Sequence, residues 1–216
     1  MREIVFDTET TGLDPAAGHR IVEIGCVEIL NTIPTGQTFH FYLDPERDMP
    51  EEAFRVHGLS TEFLTGKPKF AEIAEKFLAF VGDAMLVAHN AEFDLRFVNA
   101  ELAALGHPLL GSDRIVDTLA LARRRHPGAP NSLDALCLRY GIDTSRRTKH
   151  GALLDSEILA EVYAELTGGR RVRTGREPLG LCLGHVNRGD LVHAGRDVAI
   201  GVADTQSSET LSGQSS

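Results

Sequence analysis

The chain of 216 residues has no tryptophan, few cysteines and no long apolar run. Its three cysteines, Cys26, Cys137 and Cys182, are odd in number and widely spaced. That excludes a disulfide framework and a CxxC metal site, and it points to a reducing, cytoplasmic setting. Cys26 and Cys137 fall within apolar patterns and read as small buried hydrophobes. A membrane helix needs about 18 apolar residues in succession, which no segment approaches, so no membrane partner is expected. Nor does the N-terminus carry a secretory leader, since Met1-Arg2-Glu3 runs straight into Ile4-Val5-Phe6. Positive charge is also in deficit. With 31 acidic against 22 basic residues the net charge is −9, which excludes a basic surface that coats nucleic acid regardless of sequence. It leaves open a nucleic-acid enzyme whose acids are offset by bound cations.

What is present fits one folded domain and an appendage. Three strands are expected first, at Glu3–Phe6, Ile21–Leu30 and Gln37–Leu43, paired antiparallel because their connections are too short for helical crossovers. The period then changes. Phe70, Ile73, Ala74, Phe77, Leu78 and Val81 predict an amphipathic helix, followed by a buried strand at Met85–Ala88. Asn90 is placed to cap a helix running to about Leu105. A short strand at Ile115–Val116 and helices at about Thr118–Arg125 and Ser132–Tyr140 come next. The four-residue spacing of Leu154, Ile158, Val162 and Leu166 marks a last helix, ended by Gly168-Gly169. Antiparallel strands followed by alternating β and α make an α/β domain with a mixed sheet of the ribonuclease-H-like kind. After residue 169 no aromatic residue occurs, and nine of the last twelve residues are Ser, Thr or Gln. Residues 170–216 therefore read as a mostly disordered tail behind a domain of residues 1–169.

Three motifs carry chemistry. In Asp7-Thr8-Glu9 the strand period puts both carboxylates on one face, as a pair of hard ligands for Mg²⁺ or Mn²⁺ or as a polar turn capped by Asp7. In His89-Asn90-Ala91-Glu92-Phe93-Asp94, Asp94 falls one turn inside a helix, either in a site or simply beside the positive helix end. In His150-Gly151-Ala152-Leu153-Leu154-Asp155 a histidine precedes a helix that carries an acid early. That histidine is a proton acceptor near neutral pH or a solvated loop residue.

Taken together, Asp-x-Glu, Asp and His-x₄-Asp resemble the DEDDh 3′→5′ exonucleases, and among them the epsilon group of bacterial proofreading subunits. The resemblance extends through Val56-His57-Gly58-Leu59-Ser60 and Asn131-Ser132-Leu133-Asp134-Ala135-Leu136-Cys137, and so spans nearly all of residues 1–169. It implies that Asp7, Glu9, Asp94 and Asp155 hold two divalent cations, with Asp7 contacting both, and that His150 is the general base. Thr10, Leu13 and His57 match positions lining the terminal-nucleotide pocket, with Leu13 as a wedge against the last base. For His57 a solvated turn before Gly58 is the equal alternative. Arg146, Arg147 and Lys149 are expected to meet backbone phosphates, whereas Arg123-Arg124-Arg125 read as a solvated helix end.

The implied substrate is a single-stranded or frayed DNA 3′ end, and the implied partners are a polymerase catalytic subunit and a sliding clamp. The tail departs from the pattern. Its nearest clamp-like stretch, Arg176-Glu177-Pro178-Leu179-Gly180-Leu181, has arginine where the group has glutamine and leucine where it has an aromatic. Two other functions stand beside proofreading: a free-standing nuclease for RNA or DNA repair ends, and a silent docking module. The intact acid set and His150 speak against the module.

Overall fold

The strand bearing the first acids runs further than its apolar residues suggest. In the computed structural model, which describes residues 1–168, β1 spans Arg2–Thr10. Asp7 and Glu9 are thus part of the strand rather than of a turn after it. β2, Ile21–Leu30, and β3, Ile33–Tyr42, follow as antiparallel neighbours. β3 begins earlier than expected because its first residues are exposed on the sheet edge and lack an apolar signature. Two short helices, α1 at Glu51–His57 and α2 at Thr61–Leu64, were not foreseen. Gly58, with φ of 76°, ends α1, and the Ser60 hydroxyl caps α2 by accepting from the Phe63 amide. The remaining elements follow the expected periods: α3 Phe70–Val81, β4 Met85–Ala88, α4 Ala91–Ala104, β5 Ile115–Asp117, α5 Thr118–Arg125, α6 Leu133–Tyr140 and α7 Ala152–Leu166.

The sheet order is β3-β2-β1-β4-β5, with β4 and β5 parallel to β1, which is the mixed α/β architecture expected. Alternation along β1 divides the core between two layers. Ile4 and Phe6 join Phe77, Leu86 and Phe97 on the α3–α4 side. Val5 joins Val27, Val87, Leu136 and Leu159 on the α5–α7 side. Phe6, Phe77 and Phe97 are fully buried, each contributing about 1.5–3 kcal/mol by removal from water. Cys26 and Cys137 are buried free thiols, as their apolar settings suggested. Among the described residues no helix is long and apolar enough to cross a membrane. The tail at 170–216, with its clamp-like stretch Arg176–Leu181, lies outside the described residues.

Candidate active site

β1 ends as a platform between the two layers. Asp7 and Glu9, two residues apart, share its α7-facing side with Val5. Thr8 faces the other way and grips the second motif: its amide and its hydroxyl both donate to Asp94 Oδ1, at 2.9 and 2.7 Å. Asp94 is buried in the first turn of α4, so this clamp fixes where its carboxylate sits relative to β1. Asn90 does not cap α4 through its side chain. It takes a left-handed conformation, φ 67°, and its amide donates to Asp117 Oδ1 at 3.0 Å. The tight corner after β4, not a cap, therefore turns the chain into α4.

Asp155 arrives because one residue of β2 has no side chain. Gly25 is the register partner of Asp7, and a Cβ there would lie 2.2 Å from the Leu153 amide nitrogen. Only glycine lets the first turn of α7 rest on the strand. The Ser156 hydroxyl fastens that contact by donating to the Gly25 carbonyl at 3.0 Å. Ligand atoms of Glu9, His150 and Asp155 consequently lie within 4.8 Å of one another. Two carboxylates so close, with an imidazole beside them, offer hard oxygen donors suited to a divalent cation.

The electrostatics of the cluster are unequal. Burial, then Asp94 and Glu9, raise Asp7 well above the ordinary carboxylate range. Glu9 is pushed up to about 8, by burial first and then by Glu23. Asp94 reaches about 7 through burial, although its bonds from Thr8 pull it down. Asp155 goes the other way: burial raises it, but hydrogen bonds from His150 and Arg147 prevail and hold it below its usual value.

Arg147 shares this effect with His150, and of the three basic residues expected to meet phosphates it is the one turned inward. Its nearly buried fork donates to Asp155 Oδ1 at 2.5 Å and Oδ2 at 2.7 Å, and also pairs with Asp134. Lys149 is also engaged, donating to the Arg55 carbonyl at 2.8 Å, and Arg146 faces Glu157 at 3.4 Å. Arg123–Arg125 do end α5 as expected, with Arg125 donating to the Leu166 carbonyl at 2.8 Å. Sequence reasoning also missed Glu23, a buried acid opposite Glu9 whose Oε1 lies 2.7 Å from His40 Nε2. Its signal was a carboxylate inside an otherwise apolar strand.

A cleft of about 480 Å³ opens beside the cluster and is lined by Glu9, Thr10, Leu13, Val56, His57 and Phe93, among others. The three sequence-derived pocket residues thus share one cavity with a member of the acid set. His57 is buried, not a solvated turn residue, and accepts from the Leu59 amide at 3.1 Å. Burial lowers its pKa. Leu13 stands 78% exposed at the rim, where Arg96 holds its carbonyl at 2.8 Å.

Comparison with known proteins agrees with this geometry. The family described as Exonuclease matches residues 4–163. DNA polymerase III subunit epsilon of Rickettsia felis is 55% identical over 174 residues, covering 79% of this chain and 76% of the relative. The subunit of the same name from Escherichia coli K12 is 51% identical over 176 residues, covering 78% and 72%. Among solved structures, exonuclease X in complex with 5′ overhanging duplex DNA is similar at a TM-score of 0.62 and 25% identity. The match covers 77% of this chain and 91% of that one.

Proposed function

The chain belongs to the exonuclease family, and we propose that it removes mispaired nucleotides from DNA 3′ ends as the proofreading subunit of a replicative polymerase. The observation that carries this reading is that Glu9 belongs both to the acid cluster and to the apolar-rimmed cleft. A terminal nucleotide seated in that cleft brings its phosphate to the acids.

In this reading Asp7, Glu9, Asp94 and Asp155 hold two divalent cations, Mg²⁺ or Mn²⁺. Such ions supply a sharpened water nucleophile and a stabilised leaving oxygen. His150 takes the proton of the attacking water: Nδ1 directed at Asp155 leaves Nε2 free to accept it. The phosphorus–O3′ bond breaks, and a nucleoside 5′-monophosphate departs. Leu13 abuts the last base, while Thr10 and the uncharged His57 line the pocket around the nucleotide.

Residues 1–169 carry this chemistry, and the partner is a polymerase catalytic subunit. The candidate stretch for a sliding clamp, Arg176–Leu181, departs from the expected pattern and lies outside the described residues.

The test pairs a nuclease assay on matched and mismatched 3′ ends, DNA and RNA, with co-purification of a polymerase large subunit. Mismatched DNA ends should shorten faster, because a paired terminus must first unpair at a cost of a few kcal/mol. Undiminished cleavage after thorough chelation, or equal rates on matched and mismatched ends, counts against the reading.

A further inference from the structure

Two clefts open beside the acid cluster, and a terminal nucleotide needs only one. The second, of about 770 Å³, is lined by His89, Asn90, Leu119, Arg123, Ala129 and Asn131, among others. It shares no residue with the first. The sheet sets its place. β4 lies parallel beside β1, on the side away from β2, with Val87 opposite Val5 and both facing α5–α7. Two residues on, Asp7 continues that face of β1 while His89 leaves the end of β4. His89 Nδ1 lies 2.9 Å from the hydroxyl of Thr118, the first residue of α5, which keeps the ring on the same side. The second cleft therefore begins next to Asp7 and runs from β4 toward α5 and the start of α6.

Its chemistry differs from that of the first. Glu9, Asp14 and Glu52 stand in the wall of the first cleft, whereas no acid lines the second. Asp117, at the start of α5, turns its carboxylate to the Asn90 and Leu119 amides, at 3.0 and 2.9 Å. The far wall is fixed by its own bonds: Asn131 donates to the Ala129 carbonyl at 2.9 Å, and the Ser132 hydroxyl accepts from the Ala135 amide at 3.3 Å. Two polar groups stay uncommitted. The Asn90 side chain makes no capping bond, and the exposed Arg123 has no ion pair among the described residues. A chain of net charge −9 thus keeps an unpaired guanidinium over an acid-free hollow beside its acids.

We infer that this cleft receives the nucleotide immediately upstream of the scissile phosphate, with Arg123 holding the next phosphate toward the 5′ end. The inference rests on the exonuclease reading of the acid cluster and the first cleft. A strand whose last nucleotide fills the first cleft and whose phosphate meets the acids must leave past Asp7, where the second cleft begins. The volume suits one nucleotide, since ligand sites run to about 300–1,000 Å³. Leu119 and Ala129 offer a base an apolar wall, and a guanidinium fork matches phosphate oxygens. Such a contact reads no sequence, as removal of any mispaired base requires. Arg124, exposed one residue further along α5, does not line the cleft and serves as the control.

The experiment reads the first cleavage of a short single-stranded DNA under single-turnover conditions with Mn²⁺ and sub-saturating enzyme. A matched strand carries one uncharged methylphosphonate in place of the phosphate next upstream of the scissile one. Wild type should cleave the native strand roughly three- to tenfold faster, the worth of one charged phosphate contact. Arg123→Gln should lose that preference, Arg123→Lys should keep most of it, and Arg124→Gln should keep it all. Rising salt should slow wild type more steeply than Arg123→Gln, by about 0.7 in log–log slope, the share of one single-strand phosphate. Three results overturn the inference: a wild type indifferent to the uncharged linkage, an Arg123→Gln that still prefers the native strand, or an Arg124→Gln that loses the preference as fully. A wild type that cleaves neither strand with metal present overturns the exonuclease reading itself, a separate outcome.

Discussion

The two halves of the acid cluster solve the same problem differently. On the β1 side, Asp7 and Glu9 are set by strand pairing and Asp94 by its bonds from Thr8, and their pKa values rise. On the α7 side, Asp155 sits beside a loop that supplies Arg147 and His150, and its pKa falls. In the first half, carboxyls buried side by side keep their protons near neutrality. The second half is neutralised from within by Arg147. Like charges held together cost stability, and the fold accepts that cost where the strand and Thr8 fix the geometry.

Alanine substitutions should separate the halves most sharply. Asp7→Ala and Asp155→Ala should each leave no detectable turnover, since each removes a proposed metal ligand. Their metal-free stabilities should move in opposite directions. Asp7→Ala relieves repulsion and should raise the melting temperature in chelator. Asp155→Ala leaves the nearly buried Arg147 with Asp134 alone and should destabilise, toward the lower end of roughly 3–5 kcal/mol. Melting curves beside single-turnover assays check both, and shifts of the same sign would erase the distinction.

The proposed base, His150, belongs to the α7 half, and its loss should be graded rather than total. His150→Ala should slow the single-turnover rate by about 10²–10⁴-fold, the usual contribution of a positioned general base. An exposed imidazole adds little to packing, so the melting temperature should scarcely change. Wild-type single-turnover rates in that variant would reject the assignment.

Gly25→Ala attacks the contact between the halves. The added methyl meets the Leu153 backbone and must push α7 away from β2. Overpacking of this kind costs typically ~1–3 kcal/mol, and the displacement should weaken Mn²⁺ binding as well as stability. A variant with wild-type melting and metal affinity would show that the α7 contact does not set the site.

The same division explains what was legible in the sequence. Asp7, Glu9, Asp94, His150 and Asp155 could be singled out because each ends or opens an apolar element, and it was the family resemblance of the set that implied their roles. β4, α3 and α5 could be bounded for the same reason. α1 was missed because its apolar Phe54 and Val56 are exposed and form no buried stripe. The extension of β1 to Thr10 was missed because polar residues there owe their burial to the elements around them, not to their own character. The inward turn of Arg147 was not legible because a basic run beside a histidine looks the same whether it faces solvent or folds inward. Its fork finds Asp155 only through tertiary packing of α7 on Gly25.

The smallest expected effect is also the one that reports on the β1 half without any substitution. Glu9 and Asp94, with folded values of about 8 and about 7, keep protons that an unfolded chain has released well below neutrality. The native state then binds more protons than the unfolded state, so stability falls as pH rises through that window. Asp155, held low, acts in the opposite sense only below its ordinary value of 3.8 and cannot offset this near neutrality. His57 and His89, lowered by burial, do oppose it, but only up to the ordinary histidine value of 6.5. The clean interval is therefore about pH 6.5 to 8, where the melting temperature in chelator should decline. For a chain of this size each kcal/mol moves it by about 2–4 °C. Saturating Mg²⁺ displaces those protons, so the decline should flatten and the gain on adding metal should grow with pH. Asp94→Asn should flatten the metal-free decline and Asp155→Asn should not. A melting temperature in chelator that rises steadily from pH 6.5 to 8 would mean the β1 acids are not the strained half.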